Sequence, residues 1–168
     1  RLLSKADVLV QNLAPSAMEK LGLGYSSLKT QYEKLIVCNI SGYGTEGPFK
    51  DRKAYDLLVQ AESGFLSITG TEKDLVKSGI SIADIAAGMH AFSAILAAII
   101  ERGKSGKGSC IDISMLEAME HLLDRAGETH WRDWIRTDIQ RWHKFRDSTH
   151  HRQAYGGMGS INDTVLSF

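Results

Sequence analysis

The run Leu35-Ile-Val-Cys-Asn-Ile40 constrains the fold more than any other stretch of the chain. It is apolar on consecutive positions instead of alternate ones, so a strand made from it must be covered on both faces. That is the condition of a parallel sheet lying between helices, because parallel strands need crossover connections and those are usually helical.

The flanking segments fit this pattern. Residues Ala6 to Leu13 read as a short apolar strand, which Pro15 ends where a helix can start. Ala17, Met18, Leu21 and Leu28 form a partial helical stripe, which Gly22 and Gly24 interrupt as a C-cap followed by a second short helix. Further on, Tyr55 to Phe65 reads as a helix, Ser78 to Ala83 as a short strand or extended run, and Asp84 to about Arg102 as the strongest helix. A basic turn, Gly103 to Ser109, leads to a strand at Cys110 to Ile113 and a helix at Ser114 to Leu123, capped by Ser114 with Glu117 three residues later. The expectation is an α/β fold, a mostly parallel sheet with flanking helices, over residues 1–123. Residues 124–168 gather all the tryptophans and most of the histidines without clean periodicity, and are left as an unassigned, divergent tail.

Twenty basic side chains balance twenty acidic ones, so net charge gives no long-range attraction to nucleic acid or to an anionic membrane. The longest apolar run, Ala91 to Ile100, is about half of the roughly 20 residues a spanning helix needs, and reads as a buried helix. Cys38 and Cys110 lie far apart, without metal-ligand spacing, which fits a reducing cytoplasmic setting and no metal site. The opening Arg1-Leu2-Leu3 suggests a chain that begins inside a larger protein.

Two regions invite chemistry. Asp84 is an acidic residue between the apolar runs Ile80-Ser-Ile-Ala and Ile85-Ala-Ala-Gly-Met. A helix N-cap is one reading and a nucleophile is another; the two are compatible, since the helix dipole would help keep the carboxylate ionised. Ser41-Gly-Tyr-Gly-Thr-Glu-Gly-Pro48 follows the central strand, where α/β sheets bind ligands, and its glycines let backbone approach a ligand closely or simply make a tight loop. Lys50, Arg52 and Lys53 come next and suit either phosphates or a solvated surface. Gly103-Lys-Ser105 is not a P-loop, because Ala98 stands where a glycine is required. His90 points to a different helix face from Asp84, and Cys38 has no neighbouring histidine in sequence, so both read as structural.

Six ordered blocks resemble the family III CoA transferases, the CaiB/BaiF group that includes formyl-CoA transferase and carnitine CoA transferase. They are Ala6 to Pro15, Leu21-Gly-Leu-Gly-Tyr25, Ile40 to Pro48, Ala54-Tyr-Asp56, Ala83-Asp-Ile-Ala-Ala-Gly-Met89, and Arg102 to Gly108 leading to Ile111-Asp-Ile-Ser-Met115. The resemblance implies that Asp84 is the carboxylate that attacks an acyl-CoA thioester, giving an aspartyl anhydride and then an aspartyl-CoA thioester. It implies coenzyme A contacts from Asn12, Leu13, Lys20, Leu21, Lys53 and Tyr55. It further implies acyl-CoA and a small carboxylic acid as substrates, and full-length members that form interlocked homodimers. The block around Ser41 to Asp56 is most similar to members that move CoA between small dicarboxylic acids. In the related racemases a histidine occupies the position of Tyr55, and a phenol with a pKa of about 10 is a poor base near neutrality, which favours transferase over racemase. A racemase or a non-catalytic remnant are the competing readings, and the sequence does not identify the donor and acceptor acids.

Overall fold

The computed structural model describes residues 2–71 and 74–126; of the tail set at residues 124–168, the first three residues belong to the last helix and the rest lies outside the described residues. Three parallel strands form the sheet: β1 (Val8–Gln11), β2 (Ile36–Ser41) and β3 (Cys110–Ser114), in the order β1-β2-β3. Val10 lies beside Cys38, and Cys38 beside Ile111. As the central strand, β2 buries Ile36, Val37 and Cys38 almost completely, and the pattern of consecutive apolar positions is explained by cover on both faces.

One face is covered by α2 (Tyr25–Gln31), whose Leu28 packs with Leu35 and Val37, flanked by Leu9 and Tyr32. Before it, α1 (Ala17–Lys20) fills the connection from β1. On the other face Ile40 and Ile113 meet α3 (Asp56–Glu62), α5 (Ile82–Ser105) and α6 (Met115–Ala126), through Val59, Ala83, Ala86, Ala87, Met115 and Met119. The helix expected over Tyr55 to Phe65 is divided at Ser63 and Gly64 into α3 and the short α4 (Phe65–Ile68). The Ser78 to Ala83 run makes no strand, and its last two residues already belong to α5.

The sheet-facing side of α5 is made of alanines, Ala83, Ala86, Ala87 and Ala91, and their small side chains let the helix axis lie close to the strands. The expectation of a buried helix holds for this side only. Ile85, Met89, Phe92, Leu96 and Ile99 recur at alternating spacings of four and three, and each remains 38% to 67% exposed. By length and composition alone, the helix is long and apolar enough to cross a membrane.

Its C-terminal end is anchored. Gly106, in the left-handed conformation, donates its N–H to Arg102 O at 2.8 Å. The Arg102 guanidinium donates to Asp7 O (3.3 Å), Lys34 O (3.1 Å) and Asp7 Oδ1 (3.0 Å), which fixes this end of α5 at the amino ends of β1 and β2. The N-terminal end of α5 therefore lies toward the carboxyl edge of the sheet.

The chain enters β3 over Leu35. A methyl group added at Gly108 would lie 2.0 Å from the Leu35 carbonyl oxygen and 2.5 Å from its carbon, and backbone cannot move aside as a side chain can. Gly108→Ala is expected to destabilise the fold by about 3 kcal/mol, the upper part of the usual range for overpacking, read as a lowered urea midpoint.

Candidate active site

Asp84 is the third residue of α5, not its cap. The cap comes from another helix: Asp56 Oδ1 accepts the backbone N–H of Ala83 at 2.8 Å and of Asp84 at 3.1 Å. The first N–H groups of a helix have no partner within it, and a carboxylate placed from outside satisfies them while matching the positive end of the dipole. The other Asp56 oxygen accepts from the Gln60 amide one turn later on α3. Gln60 is buried, and its own oxygen accepts the N–H of Ser78, so the extended approach to α5 is fixed by the same unit.

Because Asp56 takes the capping role, the Asp84 carboxylate is left exposed, with no ion-pair partner among the described residues. Partial burial, followed by the nearby charge of Asp56, pushes its pKa above the ordinary carboxylate value. The sequence argument from the helix dipole pointed the opposite way. Asp56 accounts for part of the difference, since it already supplies negative charge at that helix end.

The loop after β2 is pinched at its neck. An added Cβ at Gly42 would fall 2.0 Å from the Ala54 Cβ, and Gly42 O accepts the N–H of Leu116 at 3.0 Å. Ser41 Oγ accepts the N–H of Gly44 at 3.0 Å. Above the neck, Arg52 lies 5.3 Å from the Tyr43 ring centre and 4.8 Å from that of Phe49, and pairs with Glu62 at 3.1 Å. Arg52 is thus engaged in holding the loop together, which counts against the phosphate-binding reading; Lys50 and Lys53 remain exposed. Burial and then Glu62 hold the Tyr43 hydroxyl well above the usual tyrosine range.

The carboxyl edge of the sheet gathers several of the residues that the sequence singled out. Asn12 and Leu13 follow β1 directly, Lys53 and Tyr55 end the loop after β2, and Tyr55 adjoins the Asp56 that holds Asp84. Lys20 and Leu21 lie at the end of α1, both exposed. None of these six hydrogen-bonds to Asp84 among the described residues. Ligands of parallel α/β sheets bind at this edge, so the placement is suited to a site.

Other candidates take structural roles. His90 Nδ1 lies 2.9 Å from Ala86 O, and its ring meets that of His121 edge-on at 5.3 Å. Cys38 is buried and its thiol is pushed up by burial and then by Asp112, the opposite of an activated nucleophile. Asp56 and Gln60 are what the sequence reading missed as functional residues. The Ala-Tyr-Asp block contained Asp56, but only the fold shows that its carboxylate reaches 27 residues ahead to Ala83.

Comparison with known proteins gives consistent results. Residues 1–155 match the model of CoA-transferase family III. A succinate--glutarate CoA-transferase of Agrobacterium fabrum is 42% identical over 124 residues, 73% of this chain and 31% of that protein. The human succinyl-CoA:glutarate CoA-transferase is 39% identical over 123 residues, 73% of this chain and 28% of that protein. Among solved structures, a CAIB/BAIF family protein from Brucella suis superposes with a TM-score of 0.73 at 35% identity, covering 77% of this chain and 34% of the other. The chain thus spans about a third of the length of these relatives. Its ordered blocks, its three-stranded parallel sheet and the family match agree: the chain belongs to CoA-transferase family III.

Proposed function

We propose that this chain carries the reactive centre of an enzyme that moves coenzyme A from an acyl-CoA to a small carboxylic acid, with Asp84 as the carrier. The observation that carries the reading is the division of labour between two aspartates. Asp56 accepts the N–H groups at the start of α5, and Asp84 therefore presents an uncommitted carboxylate from a rigid helix end at the ligand-binding edge.

A carboxylate suits each step. One Asp84 oxygen attacks the thioester carbon, the carbon–sulfur bond breaks, and CoA leaves as a thiolate; the product on the protein is an aspartyl anhydride. The thiolate then attacks the aspartyl carbonyl, releasing the donor acid as its carboxylate and leaving CoA as a thioester on Asp84. The acceptor carboxylate attacks that thioester and expels the thiolate, giving an anhydride between Asp84 and the acceptor; the thiolate then attacks the acceptor's carbonyl, forming the new acyl-CoA and freeing the Asp84 carboxylate. Overall one thioester is consumed and one is formed, so no other energy source is needed. Holding the thiolate beside the anhydride is equivalent to an effective molarity of about 10⁵ M or more, which favours transfer over loss to water.

We further propose that Asn12, Leu13, Lys20, Leu21, Lys53 and Tyr55 line the CoA path along this edge. The relatives named for succinate and glutarate support short dicarboxylic acids as the substrate class. The exposed apolar seam of α5 supports a homodimer or another part of a longer chain as its cover, and the two unpaired thiols are consistent with a cytoplasmic setting.

Incubation with succinyl-CoA and glutarate in deuterium oxide tests the reading. Glutaryl-CoA without deuterium at the α-carbon is expected. Deuterium incorporation without CoA exchange would indicate a racemase, and neither product from a folded chain would indicate a protein that has lost the reaction.

A further inference from the structure

Three polar side chains stand in one row across the sheet, because the register pairs Gln11 with Asn39 and Asn39 with Asp112. The row is hydrogen-bonded from end to end. Gln11 Nε2 donates to Asn39 Oδ1 at 3.0 Å, and Asn39 Nδ2 donates to Asp112 Oδ1 at 2.8 Å. Asn39 Nδ2 also lies 3.4 Å from Cys110 Sγ. At the far end, Gln11 Oε1 accepts the backbone N–H of Leu13 at 2.8 Å.

The direction of this row is set at Asp112. A carboxylate has no proton to give, so Asn39 must turn its NH₂ toward Asp112 and its oxygen toward Gln11. That oxygen takes an N–H from Gln11, which leaves the Gln11 oxygen to face the turn beyond β1. Amide groups have nearly the same shape in either orientation, and the hydrogen-bond network alone decides between them. The carboxylate at the edge of the sheet and the Leu13 N–H two strands away thus require the same order of the two amides, and each end supports the other.

We infer that Asp112, acting through Asn39 and Gln11, is a positioning residue that holds the Asn12–Leu13 turn in its CoA-binding conformation. This rests on the proposed CoA contacts of Asn12 and Leu13. Asp112 touches no reacting group in this scheme, so its effect falls on binding and not on the chemistry at Asp84.

The row makes a prediction that simple disruption does not. With Asp112→Lys the edge group becomes a donor that calls for the reverse order of the amides, so the row can no longer satisfy both the edge and the Leu13 N–H. With Asp112→Lys and Gln11→Glu together, Asn39 donates to the new Glu carboxylate, whose second oxygen again accepts from Leu13. Asp112→Asn can keep the original order, since its amide oxygen can face Asn39.

The test is the CoA dissociation constant by calorimetry, with hydrogen exchange at the Leu13 amide measured by NMR on the same proteins and melting curves to confirm folding. Asp112→Lys is expected to weaken CoA about tenfold, although the added positive charge alone would strengthen binding to an anion, and to speed Leu13 exchange about fivefold. Asp112→Asn is expected to stay within about twofold of the parent on both measures, and the double variant to recover most of both losses. Leu13 exchange that is unchanged in Asp112→Lys, or a double variant no better than the single one, overturns the relay whatever CoA does. A parent chain that fails to bind CoA while the Leu13 amide follows the expected order overturns the CoA reading and leaves the control of the turn standing.

Discussion

Asp84→Asn is expected to abolish CoA exchange, by at least about 10³-fold, while leaving the fold and the affinity for acyl-CoA close to those of the parent. An amide has no anionic oxygen to attack the thioester, so neither the anhydride nor the aspartyl thioester can form on residue 84; removal of a nucleophile ranks among the largest single effects in enzymes. Structural loss should be small, because the Asp84 carboxylate makes no ion pair among the described residues and the capping of α5 belongs to Asp56. CoA exchange by chromatography and a thermal melt together check this. A lost fold, or an unchanged rate, contradicts it.

Asp56→Ala should damage stability and rate together. It removes the acceptor for two helix N–H groups and for the buried Gln60 amide, a combined loss of roughly 2 to 4 kcal/mol from the cap and the stranded amide. The first turn of α5 carries Asp84, so fraying there should lower kcat along with the melting temperature. Asp56→Asn keeps an oxygen for the helix N–H groups and removes the charge, at the cost of the Gln60 hydrogen bond, so the first turn of α5 stays capped while the electrostatic effect on Asp84 is lost. Asp84 reacts as the carboxylate, so the rate falls as pH drops through its pKa, and that pKa is raised by burial and then by Asp56. Without the Asp56 charge the Asp84 pKa falls, and the acid limb of the pH–rate profile should move to lower pH. Burial is the larger cause, so the limb should remain above the range of a free aspartate.

Much of the architecture was legible because it depends on local pattern. The Leu35 to Ile40 run required cover on both faces, and the fold provides it through α2 on one side and α3, α5 and α6 on the other. Ser114 caps α6, donating nothing to the helix but accepting the Glu117 N–H at 3.3 Å, as its spacing indicated. What the pattern did not reveal depends on partners distant in sequence. Asp84 resembled a cap because it stood where a helix began, and nothing local indicated that Asp56, 28 residues earlier, would fill that role. The division between α3 and α4 was hidden by apolar spacing that continues through Gly64.

The row of Gln11, Asn39 and Asp112 carries a signal in the sequence. Each is a polar residue set within an apolar stretch, and polar groups in such stretches seek partners. Recognising them as one unit required the register of three strands, which only the sheet supplies. The candidate site was therefore readable as a set of ordered blocks, whereas the hydrogen bonds that organise it were not.

The most direct test is to incubate the protein with succinyl-CoA, quench with hydroxylamine or borohydride, and map the modified peptide by mass spectrometry. Trapping at residue 84, absent in Asp84→Asn, is the expected result, because either reagent captures the anhydride or the thioester at the aspartyl carbonyl. A folded protein that exchanges CoA between acids while Asp84 stays unmodified would contradict its role as the carrier.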